Sequence, residues 1–213
     1  MTPKTSSQTT RRNNTHESDQ KPLAAYGAAL RYEDIPSDVL NRAKNLTLQT
    51  LGVSLGALGS DVGRRAVELG RIMGGGSSEA TIWGEGSKVS AAAAGLANGT
   101  LADALDWEDC SWTGHPSACA VSTAFAVAEQ LRASGKDYLL ALITAYELYE
   151  RIAMAVQPGP DFGWMTKGWG LTSWAIYASS IAGGKLLGLN AEAMENLIGI
   201  TGALTPTINV LPH

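Results

Sequence analysis

The chain has 213 residues, a formal net charge of −4 and 45% hydrophobic residues, enough to bury an ordinary globular core. Its basic residues are scattered apart from the pairs Arg11–Arg12 and Arg64–Arg65, so no electrostatic footprint for nucleic acid is present and no nucleic-acid partner is expected. Cys110 and Cys119 are the only cysteines, which suits a reduced intracellular protein better than a disulfide scaffold, although a single bridge between them stays open.

Residues 1–22 are rich in Thr, Ser, Gln, Asn and Arg and hold no apolar run, so a disordered tail is expected, without a secretory signal. Arg11 and Arg12, with no acid before Glu17, faintly resemble a mitochondrial targeting segment, but the alternating apolar residues of an amphipathic presequence are lacking and the cytoplasm is the expected compartment. From Leu23 onward apolar residues recur at three and four, the helical period. Pro36, Ser37 and Asp38 open a helix whose second half, with Leu51, Val53 and Leu55, is apolar enough to predict a central position. A shorter amphipathic helix over Val62 to Met73 is predicted to face Val67, Leu69 and Ile72 inward and to stop at Gly74–Gly76. That glycine run has no following Lys-Ser/Thr and is no phosphate cradle.

Ala80 to Trp83, bounded by turn residues, reads as the one strand, with Gly84–Ser87 as the turn behind it. Helices follow from about Ser90 to Asp106, Pro116 to Ala133, Lys136 to Val156, Leu171 to Leu187 and Ala191 to Thr201. Ala, Gly, Ser and Thr dominate their faces and let helix axes approach closely. The predicted fold is therefore all-α, a compact bundle of packed helices with one small β-hairpin-like ornament. No segment has the apolar length of a membrane span, and no fixed-period repeat indicates a solenoid. Beyond Thr201 the chain runs through Pro206 and Pro212 as an apolar loop, an ending that leads us to expect a further element after the helical domain of residues 23–213.

The chemistry concentrates between Asp103 and Pro116, where four acids, a thiol, two indoles and one of three histidines lie together. If the helix continued through Asp109, then Asp103, Asp106 and Asp109 would fall on one side at spacings of three. A solvated acidic helix end accounts for Asp103 and Glu108. Asp106 stands between Leu105 and Trp107, a setting that predicts desolvation, a raised pKa and general acid or base chemistry. His115 precedes Pro116 and so takes an extended conformation at the head of a helix, where an anionic ligand is favoured. A lone histidine beside a proline is more often a cap or a packing residue; here the neighbouring acids favour function. Asp106, Asp109, Cys110 and His115 have the chemistry of metal ligands, but their spacing matches no zinc or calcium pattern, and neither a metal nor another cofactor is expected. Cys110 among acids is a poor nucleophile, and Cys119 falls in a small-residue helical run expected in the core.

A second candidate is the Gly-rich loop Asp161–Trp174. Trp174 reads as packing, while Lys167 and Trp169, displayed between glycines, could hold a substrate carboxylate and shield it from water.

These segments, in this order, resemble the MmgE/PrpD family, which contains 2-methylcitrate dehydratase and cis-aconitate decarboxylase. The resemblance spans roughly residues 23–211. It rests on Leu48 to Leu58, on Ala97-Asn98-Gly99 followed by Ala104 to Asp109, on Gly114-His115-Pro116-Ser117, on Ala145-Tyr146-Glu147-Leu148 with Arg151-Ile152, and on Gly184 to Leu189. It implies a large helical domain followed by a smaller α+β lid, a homodimer, and metal-independent chemistry on di- or tricarboxylic acids. By motif, Asp106 stands where the family keeps its first active-site aspartate and His115 where it keeps the histidine before proline. Cys110 replaces a threonine that binds a substrate carboxylate in better-known members, and a thiol is the poorer donor. Trp169 falls where decarboxylase-like members place a second histidine, which weighs against decarboxylation.

Two classes of function follow. The first is the N-terminal part of a metal-independent carbon–oxygen lyase, a dehydratase of an acid such as 2-methylcitrate. In it Asp106 and His115 would share the acid and base roles, and Asp109, Cys110, Lys167 and Trp169 would bind substrate. An isomerase or epimerase of a carboxylic acid uses the same proton transfer. The second class is a non-catalytic helical module that dimerises or binds a ligand.

Overall fold

Side chains that take up the free amides of a first turn set several of the helix starts. Ser60 Oγ accepts from Gly63 N at the head of α3 (Asp61–Met73), Ser90 from Ala93 N at α4 (Ala91–Asp103), and Asn190 from Ala193 N at α8 (Ala191–Leu204). Pro116 opens α5 (Pro116–Leu131) at a position where its missing N–H is no loss, and Arg132 ends that helix in the left-handed region at φ 53°. The other helices are α1 (Gln20–Ala29), α2 (Ser37–Ala57), α6 (Gly135–Val156) and α7 (Ala175–Leu186), with a 3₁₀ turn at Tyr32–Asp34. This architecture is that of a computed structural model describing residues 20–111, 113–156 and 173–205. Among the described residues it is an all-α bundle, and no helix is long and apolar enough to cross a membrane.

Helix α5 is the hub, packed on α4, α6 and α7, while α1 lies on α8 and α3 on α4. The larger core joins Leu142, Leu148 and Tyr149 of α6 to Trp174, Ile181 and Met194. A second core joins Ala57, Ile82, Val89 and Leu101 to the alanine face of α4. Between α3 and α4 lies a two-stranded antiparallel ribbon, β1 (Ala80–Thr81) with β2 (Lys88–Val89), pairing Ala80 with Val89. The buried amide of Asn98 fixes it, accepting from Trp83 N and donating to Thr81 O, both at 2.9 Å. Glu129 on α5 accepts from Thr81 N and Oγ1 at 2.7 and 2.6 Å and pairs with Lys88. The ornament is thereby tied to α4 and α5, two of the helices that form the candidate site.

Several sequence expectations are corrected. Helix α1 begins at Gln20, inside the segment expected as a tail. Helix α4 ends at Asp103, three residues before the expected Asp106, because Asp106 takes φ 54° and breaks the helical run. The second half of α2 is not central: Thr50, Ser54 and Ala57 face inward, while Leu48 and Leu55 are exposed. In α3, Val67 packs on the second core as expected, but the buried residues are Gly63, Ala66 and Gly70, and Leu69 and Ile72 are exposed, against the hydropathy pattern. The cause is close approach. A Cβ added at Gly70 would lie 2.8 Å from the Ala97 Cβ, so the small-residue face of α3 is the one that reaches α4.

Candidate active site

The turn after α4 decides which acid is buried. With Asp106 left-handed, Trp107 swings outward to 75% exposure and Glu108 turns inward to 6%. A hydrogen bond from Gln49 Nε2 to Trp107 O, 3.3 Å long, ties this turn to α2. The Asp106 side chain is 85% exposed, so the desolvation expected at Asp106 falls on Glu108 instead. Asp103 is exposed, as a solvated helix end requires.

The next segment is held from beneath. Ser111 and Gly114 exchange backbone hydrogen bonds of 2.9 and 3.2 Å, and Gly114 accommodates the φ of 131° that closes this tight turn. Inside the turn Thr113 is fully buried. Its carbonyl accepts from Tyr149 Oη at 2.9 Å and from Trp174 Nε1, and its hydroxyl donates to Glu150 Oε2 at 2.7 Å. Burial pushes the Tyr149 phenol well above its ordinary range, so it stays a neutral donor. Trp174 is thus a packing residue with an anchoring hydrogen bond. Asp109 is half-buried and caps α5 from outside the helix: Oδ1 accepts from Ser117 N at 3.1 Å and Oδ2 from Tyr146 Oη at 2.9 Å. Its two oxygens are occupied in this arrangement. Cys110 is exposed, with Sγ directed to Ser111 O at 3.5 Å.

With Asp109 capping α5, the imidazole of His115 makes no cap hydrogen bond. Nδ1 lies 2.7 Å from Glu108 Oε1, and on the other edge Nε2 lies 3.7 Å from Asp106 Oδ1. The 2.7 Å approach is at hydrogen-bonding distance without hydrogen-bonding alignment. Both Glu108 oxygens and His115 Nδ1 are buried with no aligned partner among the described residues. Burial pushes the Glu108 carboxyl above the ordinary glutamate range, the nearby Asp103 carboxyl adds to this, and His115 opposes it. Asp106, Glu108 and His115 each offer an atom within 4.8 Å of the others, the one such metal-type cluster among the described residues. The two carboxylates lie beside opposite nitrogens of one ring.

His115 and Asp103 stand at one end of a cleft of 490 Å3 between α4, α5 and α7, a volume typical of small-molecule sites. Its walls are mostly small: Gly95 and Gly99 from α4, Ala118 and Ser122 from α5, Ser179 from α7. Cys119, expected in the core, is a half-buried wall of this cleft, and burial raises its thiol to about 11. The structure therefore brings Asp106 and His115 together and adds Glu108, which the sequence reading took for a solvated acid. Lys167 and Trp169 lie outside the described residues.

Similarity to known proteins extends over most of the chain. Residues 21–210 match the model of the MmgE/PrpD N-terminal domain. The chain is 31% identical over 189 residues to cis-aconitate decarboxylase of Aspergillus terreus, an overlap of 84% of this chain and 37% of the relative. It is 29% identical over 195 residues to the cis-aconitate decarboxylase-like protein oryM of Aspergillus oryzae, covering 84% of this chain and 38% of the relative. The chain thus spans under two-fifths of the length of the curated relatives it matches. By the match across nearly the whole of its helical bundle, this chain belongs to the MmgE/PrpD family and carries that family's N-terminal domain.

Proposed function

We propose that this chain supplies the proton-transfer wall of a lyase acting on a di- or tricarboxylic acid, with dehydration of an acid such as 2-methylcitrate as the reaction. The observation that carries the reading is the His115 imidazole, which lines the cleft with a buried carboxylate 2.7 Å from Nδ1 and the exposed Asp106 carboxylate 3.7 Å from Nε2. In a dehydration, a base takes the proton from the carbon beside a carboxylate, the C–O bond breaks, and the hydroxyl leaves as water with a proton from an acid. Nε2 of His115 and the Asp106 carboxyl are 3.7 Å apart, close enough to divide these roles on one substrate. Asp103, Asp106 and Glu108 crowd negative charge at this end of the cleft, so an anionic substrate needs cationic groups opposite them; Lys167 is the candidate within this chain.

Decarboxylation is the second reading, favoured by the named activity of the relatives. There a C–C bond breaks, carbon dioxide leaves, and the resulting carbanion takes a proton, which the same pair could deliver. The family resemblance also implies a homodimer. The test uses the 213-residue chain and the product of the longest reading frame containing it. Each is assayed with citrate, 2-methylcitrate and cis-aconitate by absorbance of the unsaturated acid and by release of carbon dioxide. Turnover of one acid, reduced about 100-fold or more by His115→Ala, is expected for a general acid–base residue. An unsaturated product without carbon dioxide identifies dehydration, and release of carbon dioxide identifies decarboxylation. No turnover of any of the three by either protein removes the lyase reading.

A further inference from the structure

The buried acid beside His115 has no evident structural task. Glu108 is 6% exposed, its side chain not at all, and among the described residues it makes no aligned hydrogen bond, caps no helix and pairs with no lysine or arginine; besides His115 its interacting neighbour is the Asp103 carboxyl, a like charge. Replacing a buried carboxyl of this kind by an apolar group of similar size is commonly neutral or stabilising, so its presence points away from stability. Two other acids of the segment have ordinary surroundings: Asp109 caps α5 and Asp106 is in water. Glu108 alone faces a buried ring nitrogen, 2.7 Å away.

We infer that Glu108 is the positioning residue for His115, accepting from Nδ1–H and thereby leaving the unprotonated Nε2 as the proton acceptor that faces the cleft. The designation rests on the reading of His115 as the proton-transfer group. Three features argue for it. A neutral imidazole carries one proton, and the partner of one nitrogen decides which nitrogen holds it. Glu108 is acceptor-only when ionised, so a partner at Nδ1 forces the proton there. No helix cap fixes the ring, because His115, at φ −115° and ψ 74° and not in the extended conformation expected before a proline, makes no side-chain cap hydrogen bond. The geometry also explains why the left-handed turn at Asp106 is worth its cost: it brings Glu108, two residues on, under the ring. The 2.7 Å separation is already a hydrogen-bonding distance.

The test is spectroscopic and independent of turnover. Long-range 1H–15N spectra of the uniformly labelled chain, recorded at about pH 8.5, above the ordinary histidine range, report the tautomer of each ring. His16 and His213 supply internal references. We expect a pyrrole-type Nδ1 and a pyridine-type Nε2 for His115. Glu108→Leu, which retains bulk and removes the acceptor, should shift the tautomer ratio toward Nε2–H by about tenfold or more, the scale of one hydrogen bond to a charged group. Glu108→Gln, whose amide can accept from Nδ1 or donate to it, should give a mixture. It also serves if the leucine variant does not fold, since an unmixed Nδ1–H tautomer in it would count against the proposal. Nε2–H in the unmodified chain, a ring protonated on both nitrogens at that pH, or an unchanged ratio in a folded Glu108→Leu would overturn it. A confirmed tautomer in a protein that turns over none of the acids would leave this assignment standing and remove only the lyase reading.

Discussion

Lys185 offers a sharp test of how the bundle is held together. Its ammonium donates to Gly27 O at 2.8 Å, Ala28 O at 3.0 Å and Leu30 O at 2.7 Å, which are the free carbonyls at the C-terminal end of α1. Burial pushes the lysine below its ordinary range. Lys185→Met preserves the stem and removes the donors. Gly27 is buried, so its carbonyl loses its partner without access to water, at about 1–3 kcal/mol; the carbonyls of Ala28 and Leu30 are half-buried and lose about 0.5–1 kcal/mol each. Relief of the lysine's own desolvation offsets part of this, leaving a net loss of about 2–3 kcal/mol. Urea unfolding with unchanged slope should show the fall in midpoint, and amide exchange should accelerate first in α1. Lys185→Arg should recover only part of the loss, because a planar fork fits three converging carbonyls poorly. A Lys185→Met protein within about 0.5 kcal/mol of the parent, with α1 amides equally protected, would refute the assigned role of the three-carbonyl contact.

Glu108 is predicted to make the fold less stable as pH rises. Its folded pKa is raised, so the folded state holds the proton over a range where the unfolded chain has released it; stability is fully present below the ordinary glutamate range and is lost as pH climbs through the raised value. Glu108→Gln should flatten that slope in denaturant titrations run from about pH 4 to 8, with Asp103, Asp106 and His115 as the remaining titrating neighbours. The same Gly→Ala change should have opposite signs at two positions. At Gly70 the new methyl meets Ala97 Cβ at 2.8 Å and Ile82 Cδ1 at 3.0 Å and should cost about 1–2 kcal/mol; at Gly52, exposed inside α2 with nothing within 4 Å, it should add about 0.5–1 kcal/mol, both read by thermal or urea unfolding. Cys119, its thiol raised to about 11, should react with iodoacetamide at about pH 8.5 on the order of 100-fold more slowly than a free thiol, and peptide mapping should find Cys110 labelled first.

The sequence carried the helices well because their period and caps are local. Ser60, Ser90 and Asn190 act within three residues of themselves, and Pro116 can start a helix but not continue one. It carried the orientation of α2 and α3 poorly, because hydropathy ranks Leu above Gly and cannot register how close two axes come. Where α3 meets α4, Gly70 and Ala97 allow the contact and larger residues are turned to the surface. The candidate site divides the same way. His115 was legible since histidine, proline and nearby acids are all visible in the chain. Lys167 and Trp169 were equally legible, and they lie outside the described residues.

Glu108 was illegible for a reason specific to this turn. Reading the acids as a helix gives Asp103, Asp106 and Asp109 a common face and leaves Glu108 to solvent. One non-glycine residue at positive φ, Asp106, cancels that register: the chain leaves the helix, the indole next to it goes outward, and the following carboxyl goes under the imidazole. Positive φ is uncommon for non-glycine residues but several-fold enriched for aspartate, so the residue able to make the turn is also the one whose carboxyl is then left exposed beside the His115 ring. Asp106 thus acts twice, through its backbone to bury one acid and through its side chain to expose another. Asp106→Asn, which tolerates the same φ, separates the two: it should keep Glu108 beneath His115 and the 1H–15N tautomer pattern intact while removing the exposed carboxyl. Asp106→Val, for which that φ is strained, should disturb both.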